Sequence, residues 1–239
     1  MRKRSSFLRI ISAVLLVIVF SFSAYEPSID ANASSQKAKF TKHSYNGINL
    51  LRYPQVYGIN KNAASKINST LKKAADKSYK SYLDLKKAEK VVPKEELCKK
   101  TARCKYSFNS LYEVKYNSNG KLSIYYLEYT YTGGSHGKNH VTMYNFDLST
   151  GKHYKINDIL KTSSNYKKVH KYAFKYLSTH EPYSCYVSNL SDVTVNKNTQ
   201  FSFSKDGIYL VFQENEIGSY DEVTPFIKIP KSVYKYVFL

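Results

Sequence analysis

Residues 125–152 constrain the fold more than any other stretch. Tyr125-Tyr126-Leu127-Glu128-Tyr129-Thr130-Tyr131-Thr132 is rich in aromatic and β-branched residues and reads as a strand. Gly133-Gly134-Ser135-His136-Gly137 follows, with three glycines among five residues. Such a run reaches positive φ and leaves little side-chain bulk. His140 to Leu148 alternates again, with Val141, Tyr144, Phe146 and Leu148 as candidate packing residues, and stops at the turn Ser149-Thr150-Gly151-Lys152. A strand, an open loop and a strand make a display device, in which the flanks fix the tip.

The rest of the chain supplies partners for that hairpin. Strands are expected over 40–45 and 48–53 around Asn46-Gly47, with Pro54 ending the second or lying at its edge. A helix is expected over 61–87, because Ala64, Ile67, Leu71, Ala74, Ser78, Tyr82 and Leu85 recur at spacings of three and four. Residues 106–116 form a strand and 117–120 a turn, so 106–148 reads as a three-stranded antiparallel meander. Residues 156–160 make a short helical turn. A second helix to about Thr179 is capped by Ser163 or Ser164, with Tyr166, Val169, Ala173 and Leu177 inward. Strands over 201–203, 208–212 and 226–230 and a closing helix over 231–236 complete the chain. The fold class is therefore α+β: antiparallel meanders with two main helices packed against them. The expected division is a segment 1–33, an N-terminal subdomain 34–148 and a C-terminal subdomain 149–239.

Residues 1–33 read as a secretory signal peptide. Met1-Arg2-Lys3-Arg4 is basic, an apolar run of 10–22 follows, and Ala31-Asn32-Ala33 is a small-x-small cleavage site. The run is short for a membrane span, which needs about 20 apolar residues; an uncleaved anchor is the alternative. The expected location is outside the cell, at the wall. Export permits a disulfide. Cys98 and Cys104 are the expected pair, Cys104 with Cys185 is the other option, and either leaves one thiol over. Zinc-finger spacing is absent.

The net charge of +19 bears on partners and not on fold. On a secreted chain it points to acidic envelope polymers, such as teichoic acids, before nucleic acid. On the first helix Lys66, Lys73, Lys77, Lys80 and Lys87 cluster opposite the apolar face, with Asp84 among them. They are the expected anion-binding residues. A merely solvated face is the plainer reading of the same pattern.

Several blocks together resemble a known family. They are Tyr53-Pro54-Gln55-Val56-Tyr57-Gly58, Lys66-Ile67-Asn68, Tyr131-Thr132-Gly133-Gly134-Ser135-His136-Gly137, Tyr144-Asn145-Phe146-Asp147-Leu148 with Gly151-Lys152, Phe201-Ser202-Phe203 with Asp206-Gly207, and Glu216-Ile217-Gly218-Ser219-Tyr220 before Ile229-Pro230. Their order is similar to the paired extracellular domains of the lysozyme-sensing anti-sigma factor RsiV and of the N-terminus of the peptidoglycan deacetylase PdaC. The family usually carries Pro-Tyr where this chain has Ser219-Tyr220, and a glycine near Asp221-Glu222-Val223. With nine residues before the apolar run and the sequence ending at Leu239, neither a sigma-binding segment nor a deacetylase domain is expected. The resemblance implies the extracellular recognition module alone.

Catalysis is not expected. His136 and His140 are four apart, with Asp147 and His153 nearby, but the pair spans loop and strand, and no glutamate stands where a zinc protease has its base. Ser135-His136 is not a nucleophile elbow. His136 reads more simply as a hydrogen-bonding residue of the loop; a hydrolase using it is the third reading of function. The expected ligand-binding residues are Tyr131, Gly133, Gly134, Ser135, His136 and Gly137 with Ser219 and Tyr220. The aromatic members offer the flat amphipathic area common at interfaces. No cofactor, metal, nucleic acid or membrane span after cleavage is expected. The partner is anionic wall polymer or peptidoglycan, or alternatively a lysozyme-like muramidase. Mass spectrometry of culture medium is expected to find a mature N-terminus at Ser34; full-length protein confined to the membrane would overturn cleavage.

Overall fold

β1 (Lys39–Ser44) and β2 (Arg52–Tyr57) pair antiparallel, and α1 (Lys61–Val91) follows. β3 (Ser107–Ser118), β4 (Lys121–Tyr131), β5 (Lys138–Asp147) and the two-residue β6 (His153–Tyr154) form one antiparallel sheet in sequence order. α2 (Ile156–Leu160) and α3 (Ser163–Leu177) lead to a second antiparallel sheet of β7 (Gln200–Ser204), β8 (Gly207–Val211) and β9 (Phe226–Pro230), closed by α4 (Lys231–Tyr234). The computed structural model describes residues 36–91, 105–218 and 225–235. The expected signal segment 1–33, Cys98 with Cys104, and Ser219 with Tyr220 lie outside the described residues. No described helix is long and apolar enough to cross a membrane.

The elements stack in four layers. Ile67 and Leu71 of α1 pack on Leu122, Ile124, Phe146 and Leu148 of one face of the four-stranded sheet. Val141 and Met143 on the other face meet Val211 of the three-stranded sheet. Val169, Ala173 and Leu177 of α3 pack on Phe201, Ile208, Leu210, Ile227 and Ile229. The apolar period of both helices therefore chose their inward faces. The central sheet is covered on both sides, which explains why its strands carry bulky side chains on both.

A buried polar cluster fixes α1 on the sheet. Ser78 Oγ donates to Glu128 Oε1 at 2.7 Å, so Tyr126 OH, 3.1 Å away, donates to Ser78 in turn. Ser78, Tyr126 and Glu128 are all buried. A buried hydroxyl left without a partner costs about 1–3 kcal/mol, so the three specify one axial position of the helix.

Several expected boundaries shift. The first hairpin is wider than Asn46-Gly47 alone: residues 45–51 form its loop, Asn46 and Gly47 have φ of 49° and 73°, and β2 runs through Pro54 to Tyr57. Pro54 is tolerated there for a visible reason. Asn68 of α1 donates to Val56 C=O at 3.0 Å and accepts from Val56 N–H at 2.7 Å, so that edge of β2 faces away from β1. The Pro54 nitrogen, two residues earlier, lies on the same edge and removes no ladder bond. The 117–120 turn narrows to Asn119-Gly120, with φ of 51° and 66°. The cap of α3 is Thr162, which accepts from Asn165 N–H at 3.2 Å, and not Ser163 or Ser164. β6 adds a fourth strand to the meander.

Asp147 anchors the turn after β5. Its carboxylate accepts from Lys121, from the Ser149 and Thr150 hydroxyls and from the Thr150 N–H. Burial alone would raise its pKa, but these bonds prevail and hold the carboxyl well below the usual range. The turn in turn seats on α1, where a Cβ at Gly151 would collide with Ala63 and Lys66, and Lys66 Nζ donates to Thr150 C=O at 3.3 Å.

Two stability effects are expected. Asn68→Leu strands both Val56 groups and should cost about 2 kcal/mol, a fall of roughly 4–8 °C in Tm, with Asn68→Asp intermediate. Asp147 has a depressed folded pKa, so its contribution is present above the unfolded value of about 3.9 and is lost as pH falls through the folded one. Thermal melts should therefore show Asp147→Asn destabilised near neutral pH, with the gap from the parent closing steadily as the medium is acidified below about pH 4. A gap that does not change with pH would overturn the assignment.

Candidate functional site

The glycine loop joins β4 to β5 and is braced from within. Tyr131 OH donates to Gly134 C=O at 2.8 Å, and His136 Nδ1 lies 3.2 Å from Gly137 C=O. Gly133 and Gly134 have φ of 93° and 101°, where a side chain is strained. The glycines play different parts. Nothing lies within 4 Å of a Cβ built on Gly134, so the tip is open. A Cβ on Gly137 would collide with the Tyr129 ring, so the space freed there is already filled by the protein itself. Ser135 and His136 are exposed, and Tyr131 is half-buried.

The segment after β8 is tied to the strand leaving this loop. Asn139 N–H donates to Glu214 Oε2 at 2.6 Å. Val141 N–H donates to Gln213 Oε1 at 2.9 Å, and Gln213 Nε2 donates to Val141 C=O at 2.8 Å. The same segment continues to Ile217, which is buried, and to Gly218, where a Cβ would collide with Tyr186. It thus approaches the β5 end of the glycine loop, and residues 219–220 follow it in sequence.

The histidines divide. His136 and His140 are exposed, and Glu128 is the cross-strand neighbour of His140. His153 packs against Tyr144 and Phe146 with ring centroids 5.6 and 5.1 Å away, and burial, aided by Lys155, lowers its pKa to about 4. It is a neutral packing residue at pH 7. Among the described residues no group of three His, Cys, Asp or Glu side chains is placed to hold a metal. Cys185 is an exposed free thiol, and Glu181 beside it raises its pKa.

The five α1 lysines expected to bind anions, Lys66, Lys73, Lys77, Lys80 and Lys87, are all exposed. Two of them have local partners: Lys66 bonds Thr150 C=O, and Lys87 lies 3.5 Å from Asp84. Lys73, Lys77 and Lys80 have no described carboxylate within ion-pair distance. Lys168 of α3 is half-buried, while Lys171 and Lys175 are exposed. Periodicity also passed over two lysine-lined grooves that flank Tyr154, because their residues come from five separate segments.

Residues 45–139 match the family model described as "Deacetylase PdaC". The chain is 24% identical to the peptidoglycan-N-acetylmuramic acid deacetylase PdaC of Bacillus subtilis (strain 168), over 98% of this chain and 50% of that protein, and so spans about half the length of this relative. Two crystal structures share the fold. A member of the DUF3298 family from Bacteroides fragilis superposes with a TM-score of 0.53 at 20% identity, covering 83% of this chain and 92% of that one. A DUF3298 family protein from Pseudomonas aeruginosa PAO1 gives 0.51 at 13% identity, covering 84% and 94%. The matched region holds the Tyr-Pro-Gln-Val-Tyr-Gly, Lys-Ile-Asn and Tyr-Thr-Gly-Gly-x-His-Gly blocks.

Proposed function

We propose that the chain is a non-enzymatic recognition module of the cell envelope that binds anionic wall polymer or peptidoglycan. The observation that carries this reading is the outward face of α1, where Lys73, Lys77 and Lys80 stand exposed with no described carboxylate within ion-pair distance, on a chain of net charge +19. Such a face attracts a polyanion at long range. The similarity to a deacetylase whose name gives peptidoglycan as its substrate supports an envelope setting. The glycine loop supports a recognition role, since its open tip lies on a braced hairpin and offers backbone rather than a paired nucleophile and base.

A second reading, capture of a lysozyme-like muramidase, rests on the same open tip at Gly134. Typical lysozymes are basic and would be repelled at long range by this chain, which favours the first reading.

Co-sedimentation of the purified chain with cell wall tests both. Charge contacts are screened over ~8 Å at physiological salt, so capture should weaken steeply as salt rises and should fail on wall stripped of acidic polymer. Ser135→Trp should weaken wall capture while leaving the melting temperature nearly unchanged. Capture indifferent to salt, together with binding of a muramidase that Ser135→Trp or Tyr220→Ala abolishes, would replace the first reading with the second. Hydrolysis of wall by the purified chain, stopped by His136→Ala, would overturn both.

A further inference from the structure

Two grooves lie on either side of Tyr154, with volumes of about 310 and 380 Å³. Lys161, Lys205, Lys231 and Lys235 line the first, brought together from the α2–α3 connection, the β7–β8 turn and α4 with the residue after it. Lys155 and Lys197 line the second, beside the amides of Asn157 and Asn198 and the hydroxyl of Thr199. All six lysines are exposed, and none has a described carboxylate within ion-pair distance. The acid on the groove walls is Asp158, and it is already engaged by Lys152 Nζ at 2.7 Å and by Lys155 N–H at 2.8 Å. Ser204 Oγ, on the wall of the first groove, is buried with no hydrogen-bond partner.

The dividing residue is held rigidly. Lys121 Nζ donates to Tyr154 OH at 3.0 Å, and Lys121 and Lys152 sit 4.8 and 4.9 Å from the centroid of its ring. Both lysines are ion-paired, Lys121 to Asp147 and Lys152 to Asp158. The fold thus neutralises the cations that position Tyr154, Lys121 on the wall of the first groove included, and leaves the other six groove lysines without a described ion-pair partner. Four ammonium groups from three places in the chain, gathered around one groove, repel each other until an anion joins them. They suit an anion that accepts in several directions, a phosphate, better than a planar carboxylate. The adjoining groove presents amides and a hydroxyl, which suit polyol or sugar hydroxyls.

We propose that the two grooves form one track for a chain of hydroxylated units joined by phosphodiesters, phosphate lying in the first and a polyol unit in the second. This rests on the envelope reading for the source of the polymer, but places it across Tyr154 and away from α1.

Calorimetric titration of the full chain with soluble poly(glycerol phosphate) tests the track, with inorganic polyphosphate and polyglutamate as comparison probes. Lys161→Asn with Lys231→Gln, and separately Lys155→Gln with Lys197→Gln, should each weaken poly(glycerol phosphate) binding about tenfold, as expected for two lost charge contacts. Lys42→Gln with Lys90→Gln removes the same charge from β1 and the end of α1 and should change it far less. All six positions are exposed, and Asn accepts the positive φ of 59° at Lys161. Only the first groove pair should weaken polyphosphate. Equal losses from the Lys42 and Lys90 pair, or polyglutamate binding as tight as poly(glycerol phosphate), would overturn the track. Wall capture retained in full by both groove pairs would also overturn it and leave the envelope reading standing. Failure of the parent chain to bind intact wall, with poly(glycerol phosphate) binding intact and lost in the groove pairs, would sink the envelope reading alone.

Discussion

The fold depends on side-chain amides that act as missing strands. Asn68 makes both bonds to Val56 on the open edge of β2. Asn117 does the same for Ala38, accepting its N–H at 2.9 Å and donating to its C=O at 2.8 Å. Gln213 and Gln200 occupy the backbone of β5 at Val141 and Met143. Unpaired strand edges invite pairing with another chain. Here each is closed by another element, 12 residues away at Asn68 and 57 to 79 away at the others, so covering an edge and docking a layer are the same event.

The seam between the two sheets works in the same way. β7 crosses the central sheet, and Ser123 Oγ accepts its Phe203 N–H at 2.8 Å while donating to Asn145 Oδ1 at 2.7 Å. Asn145 Nδ2 then donates to Phe201 C=O at 2.7 Å. Ser123 and Asn145 are fully buried, and each polar group of their two side chains has a partner. Apolar burial supplies the driving force on either side, and this polar line fixes the registry of one layer on the other.

Charge is distributed by the same logic. Where a lysine holds structure, as at Lys121 and Lys152 beside Tyr154, a carboxylate sits against it. At the other six groove lysines, and at Lys73 and Lys77 on the outer face of α1, no described carboxylate lies within ion-pair distance. A domain with twice as many cations as anions can keep its interior neutral only by spending its few acids there, and its surface is left strongly basic.

Much of this was legible in the chain itself. The inward faces of α1 and α3, the order of the meander and the Asn119-Gly120 turn follow from apolar period and turn chemistry, which are local properties. The glycine loop could be read as open for the same reason. What local rules cannot supply is a partner far away in sequence. Asn68, Asn117 and Gln213 look like ordinary polar residues until the edges they close are brought to them, and of the two readings of Pro54, a strand end or an edge position, the structure decided for the edge. The role of Gly137 was decided by the Tyr129 ring, and the lysines of the grooves were assembled from segments with no common period. Sequence determined the elements and their apolar faces; only the tertiary structure decided which polar side chain completes which edge, because that depends on distances the chain sets when the layers close.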